Sequence, residues 1–282
     1  MLHKVIKGIA PVFAMAAAFS VGACDGTISV NGDKGVPLEQ LDLTSQTPRE
    51  IVLAGPDNVV VTQGSALTVD VSGDPEAVAA LRFTLDDDTL GIMREKSSKD
   101  ITGKARVAVT LPSLEKIVLA GSGTLDASNL SGKSEVVIAG SGSARTANVD
   151  ASQLEVTIAG TGTYRAGGKA DSLDLTVAGS GSAEMNELKV GDADITIAGS
   201  GNAAFASDGT VKASIMGSGE VTVTGSAKCT ISSMGSGKLN CQAGATEEGA
   251  PEAPTAPKAP DAPVAPQPPA TPDAPESPSP DA

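Results

Sequence analysis

Residues 117–140 read IVLAGSGTLDASNLSGKSEVVIAG, and this stretch decides the fold because it begins and ends on the same phrase. The phrase returns along the chain as VLAGSG, VIAGSG, TIAGTG, TVAGSG, TIAGSG, SIMGSG and SSMGSG. The first glycine of each is Gly121, Gly140, Gly160, Gly179, Gly199, Gly217 and Gly235, at intervals of 19, 20, 19, 20, 18 and 18 residues. A fixed period near twenty identifies stacked coils, each unable to bury its apolar face without neighbours.

Within a coil, apolar residues alternate with polar ones on both sides of the glycines. Two before the first glycine come Leu119, Ile138, Ile158, Val177, Ile197 and Ile215; four before come Ile117, Val136, Val156, Leu175, Ile195, Ala213 and Ile231. Two after the second glycine come Leu125, Ala144, Tyr164, Ala183, Ala203, Val221 and Leu239. Period two with β-branched residues predicts strands with one buried face. One coil is therefore strand, Gly-Ser-Gly turn, strand and a looser turn. Parallel stacking at about 4.8 Å per coil gives seven coils a length of roughly 30 Å. The core is thin, and the only tyrosine, Tyr164, lies in its row between Ala144 and Ala183.

Composition narrows the function. The chain has 282 residues and a formal net charge of −14, which disfavours a nucleic-acid phosphate backbone as partner. Aromatics are 2% of residues, too few for an ordinary globular core but enough for a solenoid. The only histidine is His3, so removal of a leader leaves no imidazole for triads, metal sites or acid–base catalysis.

Residues 1–24 carry the pattern of a secretory leader: Lys4 and Lys7, then an apolar run from Ile9 to Val21 too short to span a bilayer. The run ends Val21-Gly22-Ala23-Cys24, which resembles a bacterial lipobox and predicts lipidation of Cys24; ordinary cleavage after Ala23 is the alternative. Asp25 resembles an inner-membrane retention signal and competes with surface display. With Cys24 lipidated, Cys229 and Cys241 remain as an even pair in an oxidising compartment. Their parities point inward on facing strands, so a disulfide or two buried thiols is expected in the last coil.

Residues 25–47 read as a spacer. Between 48 and 112, strands are expected at Glu50 to Ala54, Val59 to Thr62, Ala66 to Val71, Leu81 to Leu85, Leu90 to Met93 and Ala105 to Leu111, with a helical turn from Glu76 to Leu81. They are expected to start the solenoid and cover its first coil, whose edge would otherwise be open to pairing. The β-helix domain runs over 48–244. Residues 245–282 are rich in Pro and Ala and hold seven acidic residues against Lys258, a net −6. Such composition predicts a solvated polyproline-like tail, a spacer or an interaction segment.

The order REIVLAGPDNVVVTQGSALTVDV, LGIMREK, ARVAVTLPSLEKIVLAGSG and then the repeated coils resembles the bacterial family called putative auto-transporter adhesin, head GIN domain, over about residues 48–242. The resemblance implies an all-β, right-handed parallel β-helix of the pectin-lyase-like kind, with coils of 18–20 residues. It also implies an envelope location and a role in adhesion, and it carries over no catalytic residue. Met216, Met234 and Ser233 depart from the phrase, and a loosening of the coil is expected there.

Solenoid exteriors display ladders. Glu135, Glu155, Asp174 and Asp194 fall on one outward ladder between Lys116 and Lys212. Stacked like charges repel, and a hard cation such as Ca²⁺ would relieve them; a solvated acidic face is the simpler reading. On the other sheet Asp126, Arg145, Arg165 and Glu184 offer two exposed ion pairs beside a hydroxyl row of Thr124, Ser143, Thr163 and Ser182, suited to carbohydrate or to plain solvation. Asp174, Asp194 and Arg165 are the residues an enzyme of this fold would need, but they fall on two sheets and do not converge. The sequence therefore predicts a non-catalytic, cofactor-free, lipid-anchored envelope protein for adhesion, binding or scaffolding. A carbohydrate-active enzyme and a periplasmic partner in envelope-stress sensing are the alternatives.

Overall fold

The structure, a computed structural model, describes residues 34–44, 46–86, 88–95, 101–241 and 245–247. The leader with Cys24, residues 25–33 of the spacer and the tail beyond 247 lie outside the described residues.

The chain is a parallel β-solenoid. Its strands are β1 (Glu50–Ala54), β2 (Asn58–Gln63), β3 (Thr68–Gly73), β4 (Leu81–Asp86), β5 (Thr89–Arg94), β6 (Ala105–Leu111), β7 (Lys116–Gly121), β8 (Thr124–Gly140), β9 (Ser143–Gly160), β10 (Thr163–Gly179) and β11 (Ser182–Gly199), then β12 (Asn202–Ser207), β13 (Thr210–Gly217), β14 (Glu220–Thr224), β15 (Lys228–Gly235), β16 (Lys238–Cys241) and β17 (Ala245–Glu247). On the first face the rungs run β5, β1, β7, β8, β9, β10, β11, β13, β15 and β17, all parallel. On the second they run β6, β2, β8, β9, β10, β11, β12, β14 and β16.

The repeated phrase makes the corner between the faces. The first glycines all hold positive φ, as in Gly160 at 117°. A Cβ on Gly160 would lie 2.5 Å from the carbonyl oxygen of Gly140 one coil below. That clash and that φ both exclude a side chain, which is why glycine recurs there. The carbonyls so approached are bonded: Gly142 N donates to Gly121 O at 2.9 Å, and Ser143 N to Gly123 O at 3.1 Å.

The second corner differs from the expected loose turn. In β8 to β11 the strand runs unbroken round it for 17 or 18 residues, because pairing with the adjacent coil continues through register shifts near Gly132 and Gly168. The strand breaks at this corner where the period drops to 18, between β12 and β13 and between β14 and β15, and again lower down between β6 and β7.

The stack begins two rungs earlier than the seven Gly-Ser-Gly phrases suggest, with β5 next to β1 on one face and β6 next to β2 on the other. Ile51, Leu53 and Gly55 occupy the core and corner positions beneath Ile117, Leu119 and Gly121. The hairpin β4–β5 and the antiparallel pair β3–β6 then cover the first coil, as expected. The helical turn is α1, Pro75–Ala79, capped by the Asp74 carboxylate, which accepts from Glu76 N and Ala77 N. It starts one residue before, and ends two residues before, the expected turn.

The interior rows are buried without exception through the middle coils, from Ile117 to Ile215. Tyr164 is fully enclosed between Ala144 and Ala183 and its hydroxyl meets Thr146 Oγ1 at 3.1 Å. Burial raises the Tyr164 pKa, so it stays neutral. One feature escapes the alternation rule: Val52, Ala54, Met93 and Val118 point away from this core yet are buried in a second apolar cluster.

The last coils keep their register instead of loosening. Ile215 pairs with Ser233, Met216 with Met234 and Gly217 with Gly235. The methionines point outward, 49% and 72% exposed, so their bulk never enters the core. Ser233 does weaken it, and Ile231, Leu239 and Cys241 are only partly buried. Cys229 and Cys241 are joined by a disulfide across this coil, with Cα atoms 6.5 Å apart. The strand β17 pairs with β15, so stacking continues three residues past the boundary that composition sets at 244.

Candidate binding surface

The exterior is a set of rows fixed by coil register. Glu50, Lys116, Glu135, Glu155, Asp174, Asp194 and Lys212 stack in one column. Lys116 Nζ neutralises both its neighbours, at 3.6 Å from Glu50 and 3.3 Å from Glu135. Glu155 and Asp174 form no ion pair among those of the described residues, although the charge of Lys116 still favours ionised Glu155 weakly. Partial burial first, and then the adjacent carboxylates, raise both their pKa values above the ordinary range. Among the described residues no three His, Cys, Asp or Glu side chains converge to hold a metal ion.

On the second face Arg165 Nη2 bonds Glu184 Oε2 at 2.7 Å. Asp126 and Arg145 are register neighbours but form no ion pair among those of the described residues. Asp174 and Asp194 adjoin each other, whereas Arg165 is committed to Glu184 in a separate column. The three residues an enzyme would require are thus in register ladders and not around a common point.

The second corner holds what the sequence analysis missed. Gln63, Asn129 and Asn148 each lie six residues after the second turn position, occupied by Asp57, Gly123 and Gly142. Stacking joins them. Asn148 Nδ2 donates to Asn129 Oδ1 at 3.3 Å, Asn129 Nδ2 to Gln63 Oε1 at 3.2 Å, and Gln63 Nε2 to Pro112 O at 3.1 Å. The run borders a cleft of about 230 Å³ whose lining is mostly polar, with the buried Leu111, Leu114 and Leu130 at its base. Its spacing was readable in the sequence, but only once Asp57 is counted as a turn residue.

Residues 47–227 match the family described as putative auto-transporter adhesin, head GIN domain. The fold is similar to that of a putative adhesin from Bacteroides fragilis, with TM-score 0.61 and 20% identity over 69% of this chain and 92% of that one. It is also similar to a putative lipid binding protein from Parabacteroides distasonis, with TM-score 0.54 and 21% identity over 70% and 93% of the two chains. A putative adhesin from Parabacteroides merdae gives TM-score 0.50 at 18% identity, over 69% and 92%. No curated protein matches the chain. No helix among the described residues is long and apolar enough to cross a membrane.

Proposed function

The chain belongs to the putative auto-transporter adhesin, head GIN domain family, and we propose that it is a non-catalytic, adhesin-like protein of the cell envelope, anchored through lipid on Cys24. The observation that carries the reading is the regular exterior: charged and hydroxylated rows held in strict register over successive coils, each charged column carrying both acidic and basic groups. Such a surface presents repeated contacts to a partner and assembles no acid, base and substrate pocket. The lipobox-like Val21-Gly22-Ala23-Cys24 supports a membrane tether at the end of the chain that enters the capped foot of the solenoid. Replacement of Cys24 by Ser in the full-length protein tests the tether. The variant is expected in the soluble fraction without incorporation of labelled palmitate; a variant that stays with the membrane, beside an unlabelled wild type, contradicts it.

A further inference from the structure

We propose that the corner cleft beside Gln63, Asn129 and Asn148 binds one neutral sugar residue of a glycan chain; this rests on the adhesin-like reading above and names its ligand class. At about 230 Å³ the cleft is smaller than sites for drug-sized ligands, which start near 300 Å³, and suits a single unit of a longer chain. Leu111 and Leu130 close the base of the cleft but are buried in the core, so the surface left to a ligand is the rim, whose amides and hydroxyls both donate and accept.

The hydrogen-bond accounting leaves groups open for such a ligand. The amide run points one way, from Asn148 through Asn129 and Gln63 to the Pro112 carbonyl. Each amide is oriented by the next, so the rim is set before a ligand arrives. At the head of the run, Asn148 Oδ1 accepts no bond among those of the described residues. Ser128 Oγ accepts from Gln63 N at 3.2 Å and from Asn129 Nδ2 at 3.3 Å, so its proton remains to be donated. An acceptor and a hydroxyl donor on one rim are the complement of a sugar's hydroxyls. The charge bordering the cleft is balanced, since Asp150 is paired with Lys169 at 3.2 Å, which favours a neutral ligand over an ionic one.

The test is a titration of the full-length protein with a panel of methyl hexosides and N-acetylglucosamine, followed by NMR of side-chain amides. Shifts confined to Gln63, Asn129 and Asn148 are expected for at least one sugar. Asn148→Ala should weaken that binding at least tenfold, and Asn240→Ala, at the other end of the rod, should leave it unchanged. An unchanged fold in both variants is checked by circular dichroism. No shift at these amides with any sugar, or equal binding by the two variants, overturns the proposal. Surface display measured separately would still stand, so failure of the cleft and failure of the adhesin-like reading are distinguishable.

Discussion

Arg94 lies against Asp57 at the foot of the stack, Nη2 to Oδ1 at 2.6 Å and Nε to Oδ2 at 2.7 Å, with the side chains 7% and 1% exposed. Asp57 occupies the corner position that higher coils give to a second glycine. At Gly123 a Cβ would meet the Asp57 carbonyl at 2.5 Å, whereas the Asp57 side chain is received by Arg94 and the Ala105 amide. The carboxylate also accepts from Ala105 N, and the guanidinium donates to Ile101 O and Gly103 O. One fork thereby ties β5, the first corner and the start of β6. Removing either partner leaves a buried charge without its counterion. Asp57→Ala or Arg94→Ala is expected to cost about 3–5 kcal/mol in denaturant unfolding. Loss below about 1 kcal/mol, the level of an exposed pair, would show that the fork does not hold the cap.

The disulfide secures the opposite end. The last coil has core residues only partly covered, and terminal repeats fray first. The Cys229–Cys241 bridge spans a separation of 12 residues and should contribute roughly 2–4 kcal/mol. In the double Cys→Ala variant, hydrogen exchange should rise from Met234 to Cys241 and stay unchanged around Gly140. A uniform rise along the rod would contradict a local role.

The acidic column makes stability depend on pH. Glu155 and Asp174 have raised pKa values in the folded state, so the folded protein binds their protons more tightly than the unfolded chain does. Their ionisation opposes folding at neutral pH, and the penalty is relieved as pH falls through the folded values toward the ordinary 4.5 and 3.8. Glu155→Gln is expected to raise Tm at pH 7 and to lose that advantage in mild acid, with salt reducing the difference. A lower Tm for the variant at pH 7 would mean that the carboxylate is stabilised by contacts the column does not explain.

The corner glycines are not equivalent to those elsewhere. Gly160→Ala meets both a positive φ and the Gly140 carbonyl, whereas Gly132 also has positive φ but open space around its Cβ position. The strained backbone alone costs about 1–3 kcal/mol. Gly160→Ala should therefore destabilise by more than Gly132→Ala, and Gly132→Asn should be tolerated best, since asparagine accepts positive φ. Equal losses at the two positions would show that stacking contact at the corner is unimportant.

How much of this was legible follows from which interactions are periodic. Burial of Ile138, Ile158 and Val177, the pocket for Tyr164 and the meeting of Cys229 with Cys241 all follow from parity and period, because each coil repeats its neighbour's geometry. Departures occur where the repeat ends or bends. Asp57 and Arg94 meet only through the cap, 37 residues apart, and no repeat position signals the pair. The unbroken passage of β8 round its second corner depends on pairing with the next coil, which local turn residues such as Gly132 conceal. Met216 and Met234 break the phrase without disturbing the coil, since that parity faces outward.

The adhesin-like reading is tested most directly by protease treatment of intact cells carrying the full-length protein with an epitope at its C-terminus. Surface display predicts loss of the epitope from intact cells while a periplasmic marker survives, with Cys24→Ser releasing the protein from the membrane fraction. An epitope protected until the outer membrane is permeabilised would contradict adhesion and favour a periplasm-facing role.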